Sequence, residues 1–160
     1  MRINAFSDVC LRVMMILAPA AGLKTSRVIA DEIGIPYNHV SKAVIRLRDL
    51  GLVEVVRGRS GGLRISEEGR RASVGSLLRA LDTREDLADC RTPAGDCPLI
   101  HGCGLRMALR RAREAFYSEL DDVVIAGLPD SRGKGAVPVS LGMITSQEDC
   151  HVHMPPTSNR

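Results

Sequence analysis

The sequence predicts a mainly α-helical fold carrying one small β-hairpin. Three observations carry that expectation. Two amphipathic segments flank a short turn at Gly34, a β-branched and glycine-rich stretch follows them, and a late apolar stripe recurs at helical spacing from Leu105 to Val123. A chain of 160 residues holds one core of ordinary size with an arm, which argues against a multi-domain enzyme with separate cofactor and substrate halves. With 44% apolar and 26% charged residues it has the composition of a folded globular protein.

In the first helix Val9, Val13, Ile16 and Leu17 share a face after Ser7 and Asp8, either of which would cap its start, and Gly22 ends the unit. Thr25 or Ser26 caps a second helix whose buried face carries Val28, Ile29 and Ile33, and Gly34 supplies the tight turn. Pro36 suits the first position of a third helix, with Val40, Val44, Leu47 and Leu50 facing inward and Gly51 as its stop. Leu52 to Val56 then changes period, RGRSGG follows, and Leu63 to Ser66 is the return strand of a hairpin. Helix-turn-helix followed by a basic hairpin describes a winged helix.

A helix from Ser73 carries Val74, Leu77, Leu78 and Leu81 and runs into a cysteine segment. Beyond it Leu105, Ala108, Leu109, Ala112, Phe116, Leu120 and Val123 form a stripe more than five turns long, and a second copy of the chain is the simplest cover for it. The expected organisation is a winged helix-turn-helix domain over 1–82, a cysteine segment over 83–104, a long C-terminal dimerisation helix over 105–127 and a flexible tail over 128–160.

The net charge of +3 names no partner, but its distribution does. Between Lys42 and Arg71 eight basic residues face four acidic ones. A helix-turn-helix presents the N-terminal residues of its second helix to base edges in the major groove, here Tyr37, Asn38, His39, Ser41 and Lys42. Asn38 has the amide geometry to pair with adenine, and Lys42 reaches guanine or a phosphate. Arg57 and Arg59 at the wing tip suit an adjacent narrow minor groove. With only four aromatic residues, stacking on single strands is a poor alternative to double-stranded DNA.

The apolar run from Val13 to Leu23 is too short for an export signal, and Arg2, Asp8 and Arg12 precede it, so a cytoplasmic chain with no membrane segment and reduced thiols is expected. Three of the five cysteines, Cys90, Cys97 and Cys103, are spaced C-x6-C-x5-C on a loop with several glycines and prolines. No C-x2–4-C knuckle suggests zinc and no C-x-x-C suggests a dithiol oxidoreductase. Wide gaps suit a larger inorganic core, an iron–sulfur cluster, while zinc and unrelated loop cysteines stay open. Cys10 is expected in the core and His101 in a loop role. The Cys150, His151 and His153 run in the tail suits adventitious metal binding or no role. The four histidines offer no convincing base for a cysteine nucleophile, so no enzyme activity is expected.

The stretches MRINAFSDVCLRVMMIL, PYNHVSKAVIRLRDLGLVEVVRGRSGGLRIS and DCRTPAGDCPLIHGCGLRMALRRAREAFYSELDDV together resemble the NsrR-type nitric-oxide-sensing repressors, within the winged-helix iron–sulfur regulators that include IscR and RirA. The likeness covers about residues 1 to 127. It implies a homodimer whose long helices cross, and a 4Fe–4S cluster held by Cys90, Cys97 and Cys103. The fourth ligand would be an aspartate near the N-terminus of the other subunit, which matches Asp8. Relatives with the alternative 2Fe–2S cluster use a histidine three residues after the last cysteine, where this chain has Arg106. The first cysteine gap is one residue longer than the usual pattern, a cheap change in a loop. The implied function is a repressor that releases palindromic operator DNA when nitric oxide attacks the cluster. Its alternative is an iron- or redox-responsive winged-helix regulator with a RirA- or IscR-like cluster, or a zinc or thiol sensor.

Overall fold

The computed structural model describes residues 3–84, 86–88, 90–92 and 95–129. In order it has α1 (Ala5–Leu17), α2 (Ser26–Ile33), α3 (Tyr37–Asp49), β1 (Val53–Val56), β2 (Gly62–Ile65), α4 (Glu67–Arg71), α5 (Val74–Leu81), β3 (Arg91–Thr92), β4 (Gly95–Asp96) and α6 (Gly104–Glu119), closed by a 3-10 turn at Ile125–Gly127. The tail residues Cys150, His151 and His153 lie outside the described residues. Among those described, no helix is long and apolar enough to cross a membrane.

Helix α1 is the spine of the core, with Val13, Met14 and Leu17 fully buried against Ile29 of α2, Val40 and Leu47 of α3 and Leu77 of α5. Its cap is Asn4, whose Oδ1 accepts the Ser7 N–H at 2.7 Å, rather than Ser7 or Asp8. A carboxamide three residues earlier satisfies the orphan donor, and Ser7 is left buried. Thr25 caps α2 through the Val28 N–H. Val28 itself is exposed, so the buried face of α2 is Ile29 and Ala30 with Ile33 half-buried. Gly34 takes a left-handed φ of 65°, which a β-branched residue would resist, and turns the chain into α3. Pro36 is the cap of α3 rather than its first residue.

The hairpin pairs Val53 with Ile65 and Val56 with Gly62, so Val53, Leu63 and Ile65 face the core and residues 57–61 form the tip. A backbone pair between Lys24 and Leu63, at 3.0 and 2.8 Å, ties the hairpin base to the entry of α2. The short α4 was not legible in the pattern. Ser66 makes it, since its Oγ accepts the Gly69 N–H at 2.9 Å and donates to the Gly51 carbonyl at 2.6 Å.

The long C-terminal helix expected over 105–127 is not what forms. Helix α6 ends at Glu119 after 16 residues, about 24 Å. The rest of the apolar stripe folds back. Val74 N–H donates to the Val123 carbonyl at 2.8 Å, Ile125 N–H donates to the Ala72 carbonyl at 3.0 Å, and Ile125 is fully buried. Gly75 permits this return. A Cβ there would stand 2.2 Å from the Tyr117 carbonyl oxygen and 2.8 Å from the Asp121 nitrogen.

Ionic contacts fix the same crossing. Arg79 of α5 forks onto Glu114 at 2.9 Å and Asp121 at 3.0 Å. Asp82, just past α5, accepts from Arg84 at 2.9 Å and from the Tyr117 hydroxyl at 2.5 Å, with Arg113 at 3.5 Å. Burial opposes the charge on Asp82, but the Arg84 and Tyr117 donors hold its carboxyl down to about 2.

Gly75→Ala is expected to cost about 1–3 kcal/mol in urea unfolding, because the backbone clash outweighs a helix-propensity gain of at most about 1 kcal/mol; an unchanged midpoint would contradict the tight crossing. Asp82→Asn should cost about 1.5–3 kcal/mol at neutral pH. Because the folded carboxyl titrates below the unfolded value of about 3.9, its contribution is present above that pH and is lost as pH falls towards 2. Urea midpoints measured across this acid window should fall for the wild type, with this component missing in Asp82→Asn.

Candidate DNA-binding face and cysteine segment

Helix α3 begins at the surface, and Tyr37, Asn38, His39 and Lys42 are all exposed, with Ser41 half-buried. The opposite face of the same helix is buried through Val40, Ala43, Val44 and Leu47, so the polar side is presented by packing. Arg57 and Arg59 are exposed on the hairpin tip. The cations of this half are not equivalent. Arg48 pairs with Asp49, Arg64 crosses the hairpin to Glu54, and Arg71 pairs with Glu67. Arg70 donates to the Ala18 carbonyl, and Arg46 donates to the Ala80 carbonyl at 3.0 Å, joining α3 to the end of α5. Charge counting between Lys42 and Arg71 therefore overstates the cations available to a ligand. It also misses Arg27 of α2, whose guanidinium carbon sits 5.0 Å from the centre of the Tyr37 ring.

In the cysteine segment, Cys90 is buried and Cys97 and Cys103 are half-buried. The wide first gap is a miniature hairpin, with Arg91 paired to Asp96 and Thr92 to Gly95. It brings Cys97 back beside Cys90, and the Cys97 N–H donates to the Cys90 carbonyl at 3.0 Å. The Ile100 N–H in turn donates to the Cys97 carbonyl at 3.0 Å. Cys103 caps α6, its Sγ accepting the Arg106 N–H at 3.4 Å. Burial pushes the Cys90 thiol up, the Asp86 carboxylate adds to that, and Arg106 opposes it; Cys97 and Cys103 act on it as well, so the three sulfurs share one electrostatic neighbourhood. Among the described residues, no group of three or more His, Cys, Asp or Glu side chains of this single chain is arranged to hold a metal ion.

Arg106 is committed elsewhere. Its Nε donates to Asp86 at 2.6 Å and a terminal nitrogen donates to the Ile100 carbonyl at 3.3 Å, closing the loop over the start of α6. That hydrogen bond holds the Asp86 carboxyl below its ordinary range against the effect of burial. His101 is exposed on the loop.

Asp8 lies in the first turn of α1, partly exposed, and pairs with Arg12 at 2.9 Å. Since Asn4 does the capping, this carboxylate has only that surface pair among the described residues. Cys10 is fully buried in the core, and burial pushes its thiol up to about 12 in spite of the opposing charge of Arg46. It is an inert core residue, as its place on α1 predicts.

The three thiols are a donor set of the chemistry that iron–sulfur clusters use, held on a loop between two fixed helices. Soft sulfur ligands with a backbone N–H on one of them favour a thiophilic centre over a hard cation.

Residues 3–131 match the model of the Rrf2 family, described as iron-dependent transcriptional regulators. The chain is 44% identical over 137 residues to the HTH-type transcriptional repressor NsrR of Streptomyces coelicolor, covering 80% of this chain and 88% of that protein. It is 32% identical to the NsrR regulator of Geobacillus kaustophilus, covering 82% and 92% of the two chains. Among solved structures it is similar in fold to T. potens IscR, with a TM-score of 0.62 at 20% identity over 84% of this chain and 94% of that one. Oxidized Staphylococcus aureus CymR gives 0.60 at 24% identity over 81% and 97%. These matches span the helix-turn-helix, the wing and the cysteine segment alike, and the chain belongs to the Rrf2 family of DNA-binding winged-helix transcriptional regulators, which are not enzymes.

Proposed function

We propose that this chain is a homodimeric repressor that senses nitric oxide through a 4Fe–4S cluster held by Cys90, Cys97 and Cys103 together with Asp8 of the partner subunit. The observation that carries the reading is the cysteine segment. Its hairpin sets Cys90 beside Cys97, Cys103 heads α6, and Arg106 fills the position where a histidine ligand would be needed, in a chain 44% identical to the transcriptional repressor NsrR. When bound, such a cluster supplies an iron with one labile oxygen ligand, open to attack by nitric oxide.

The chain's own residues supply the transmission. The Arg106–Asp86 pair holds the loop to α6, the Asp82 contacts with Arg113 and Tyr117 hold α6 to the end of α5, and Arg46 ties that end to α3. A shift of the cysteine segment is thus delivered to the helix that presents Tyr37, Asn38, His39, Ser41 and Lys42. In a dimer the two copies of α3 read major grooves about 34–36 Å apart, so a small relative rotation is enough to release an operator. The apolar side of α6 supports dimerisation, since Leu105, Ala108 and Ala112 lie on one face of the helix and are exposed.

Anaerobic titration of the brown protein with nitric oxide, following visible absorbance and binding to a duplex selected from a random-sequence library, tests the reading. Absorbance and DNA binding should fall together. Equal affinity of cluster-loaded and cluster-free protein would overturn it, and colourless protein with about one zinc per chain would select the zinc or thiol alternative. Arg46→Gln should shrink the affinity difference between the loaded and cluster-free forms by at least about fivefold, measured on the same duplex. Leu105→Glu should convert the dimer to monomer in light scattering, because a charge would be buried at the proposed interface.

A further inference from the structure

Ten lysines and arginines lie between Lys24 and Arg71, and the structure divides them cleanly. Six are consumed within the chain: Lys24 by Glu32, Arg48 by Asp49, Arg64 by Glu54, Arg71 by Glu67, and Arg46 and Arg70 by the Ala80 and Ala18 carbonyls. Four have no carboxylate or carbonyl partner among the described residues. Three of these are Lys42, Arg57 and Arg59, already placed on the DNA-binding face by their positions. The fourth is Arg27.

Arg27 is exposed near the start of α2, and its guanidinium is stacked over Tyr37, the first residue of the recognition helix. This contact fixes where the charge sits. None of the guanidinium N–H donors is taken by a carboxylate or carbonyl among the described residues, so its fork remains to match a phosphate in bidentate fashion. The ring is itself partly exposed at the tip of α3, so the stacked cation lies at the margin of the surface that enters the groove. Exposed and without a carboxylate partner among the described residues, it is open to a polyanion.

We infer that Arg27 is a DNA-backbone contact, a phosphate clamp pre-positioned by Tyr37 at the flank of the groove that α3 enters. The inference rests on α3 and the wing binding double-stranded DNA and is independent of what the cysteines hold. Each phosphate neutralised by a cation releases condensed counterions, and the logarithm of the binding constant falls with the logarithm of salt by about 0.9 per contact. A backbone clamp therefore leaves a signature that a base-reading or purely structural residue does not.

The experiment is a salt titration of the dimeric, as-purified protein on a duplex selected from a random-sequence library, with circular dichroism melts verifying that each variant is folded. Arg27→Gln should lower the magnitude of the salt slope by about 0.9 per protomer, and should weaken binding by a similar factor on the selected duplex and on a scrambled one. Arg27→Lys should keep the slope, since the charge remains although the stacked fork is lost. Arg71→Gln, which removes a cation already paired within the chain, should leave the slope unchanged. An Arg27→Gln slope equal to wild type would overturn the inference, as would an equal drop in Arg71→Gln. If the wild-type protein selected no duplex at all, both the clamp and the DNA-binding reading would fall.

Discussion

The architecture depends on how closely α6 can approach the start of α5. At Gly75 the Tyr117 carbonyl comes to a place where any side chain would collide with it, and this allows the segment after α6 to return to the core. Ile125 is fully buried as a result, and Val74 and Gly75 find carbonyl partners in Val123 and Leu120. The cysteine segment is therefore a loop anchored at both ends to one core. It leaves α5 beside Asp82 and re-enters at Cys103, and both junctions carry arginine–carboxylate contacts. Without that close crossing, α6 would leave the domain as a free arm and the thiols would have no fixed relation to α3.

Much of this was legible in the residue pattern. The two helices around Gly34, the change to a β-period after Gly51 and the glycine-rich tip announce a winged helix, because each depends on local periodicity or on a turn only glycine makes easily. The C-terminal stripe reads as one long helix, while α6 stops at Glu119, for a physical reason. Phe116, Leu120 and Val123 keep the helical spacing of Leu105 but pack against the chain's own core, and spacing alone does not say whether an apolar residue faces a partner chain or its own core. The cap of α1 lies three residues before Ser7 and four before Asp8: those two have cap chemistry, whereas Asn4 has both the chemistry and the position. The wide gap between Cys90 and Cys97 concealed a hairpin too short to leave any alternation in the sequence.

The charges were the least legible part. A count of basic residues finds an excess on the DNA-binding half, yet most of those side chains are held by carboxylates or carbonyls brought near by the fold. Arg46 shows the distinction well: it sits in α3 and donates to the Ala80 carbonyl, where it braces the domain. Exposed surface pairs of this kind add little stability, but they decide which positive charges remain for a polyanion.

Arg106 sets a limit on how this site can change. Three residues past the last cysteine, it is the partner of a nearly buried Asp86 carboxylate and of the Ile100 carbonyl, and so closes the loop over the start of α6. An exchange to histidine would remove the hydrogen bond that holds this carboxylate down and leave Arg110 and Arg91 as the other cations acting on it. Any substitution at position 106 therefore acts first on the closure of the loop, before it acts on whatever the thiols hold.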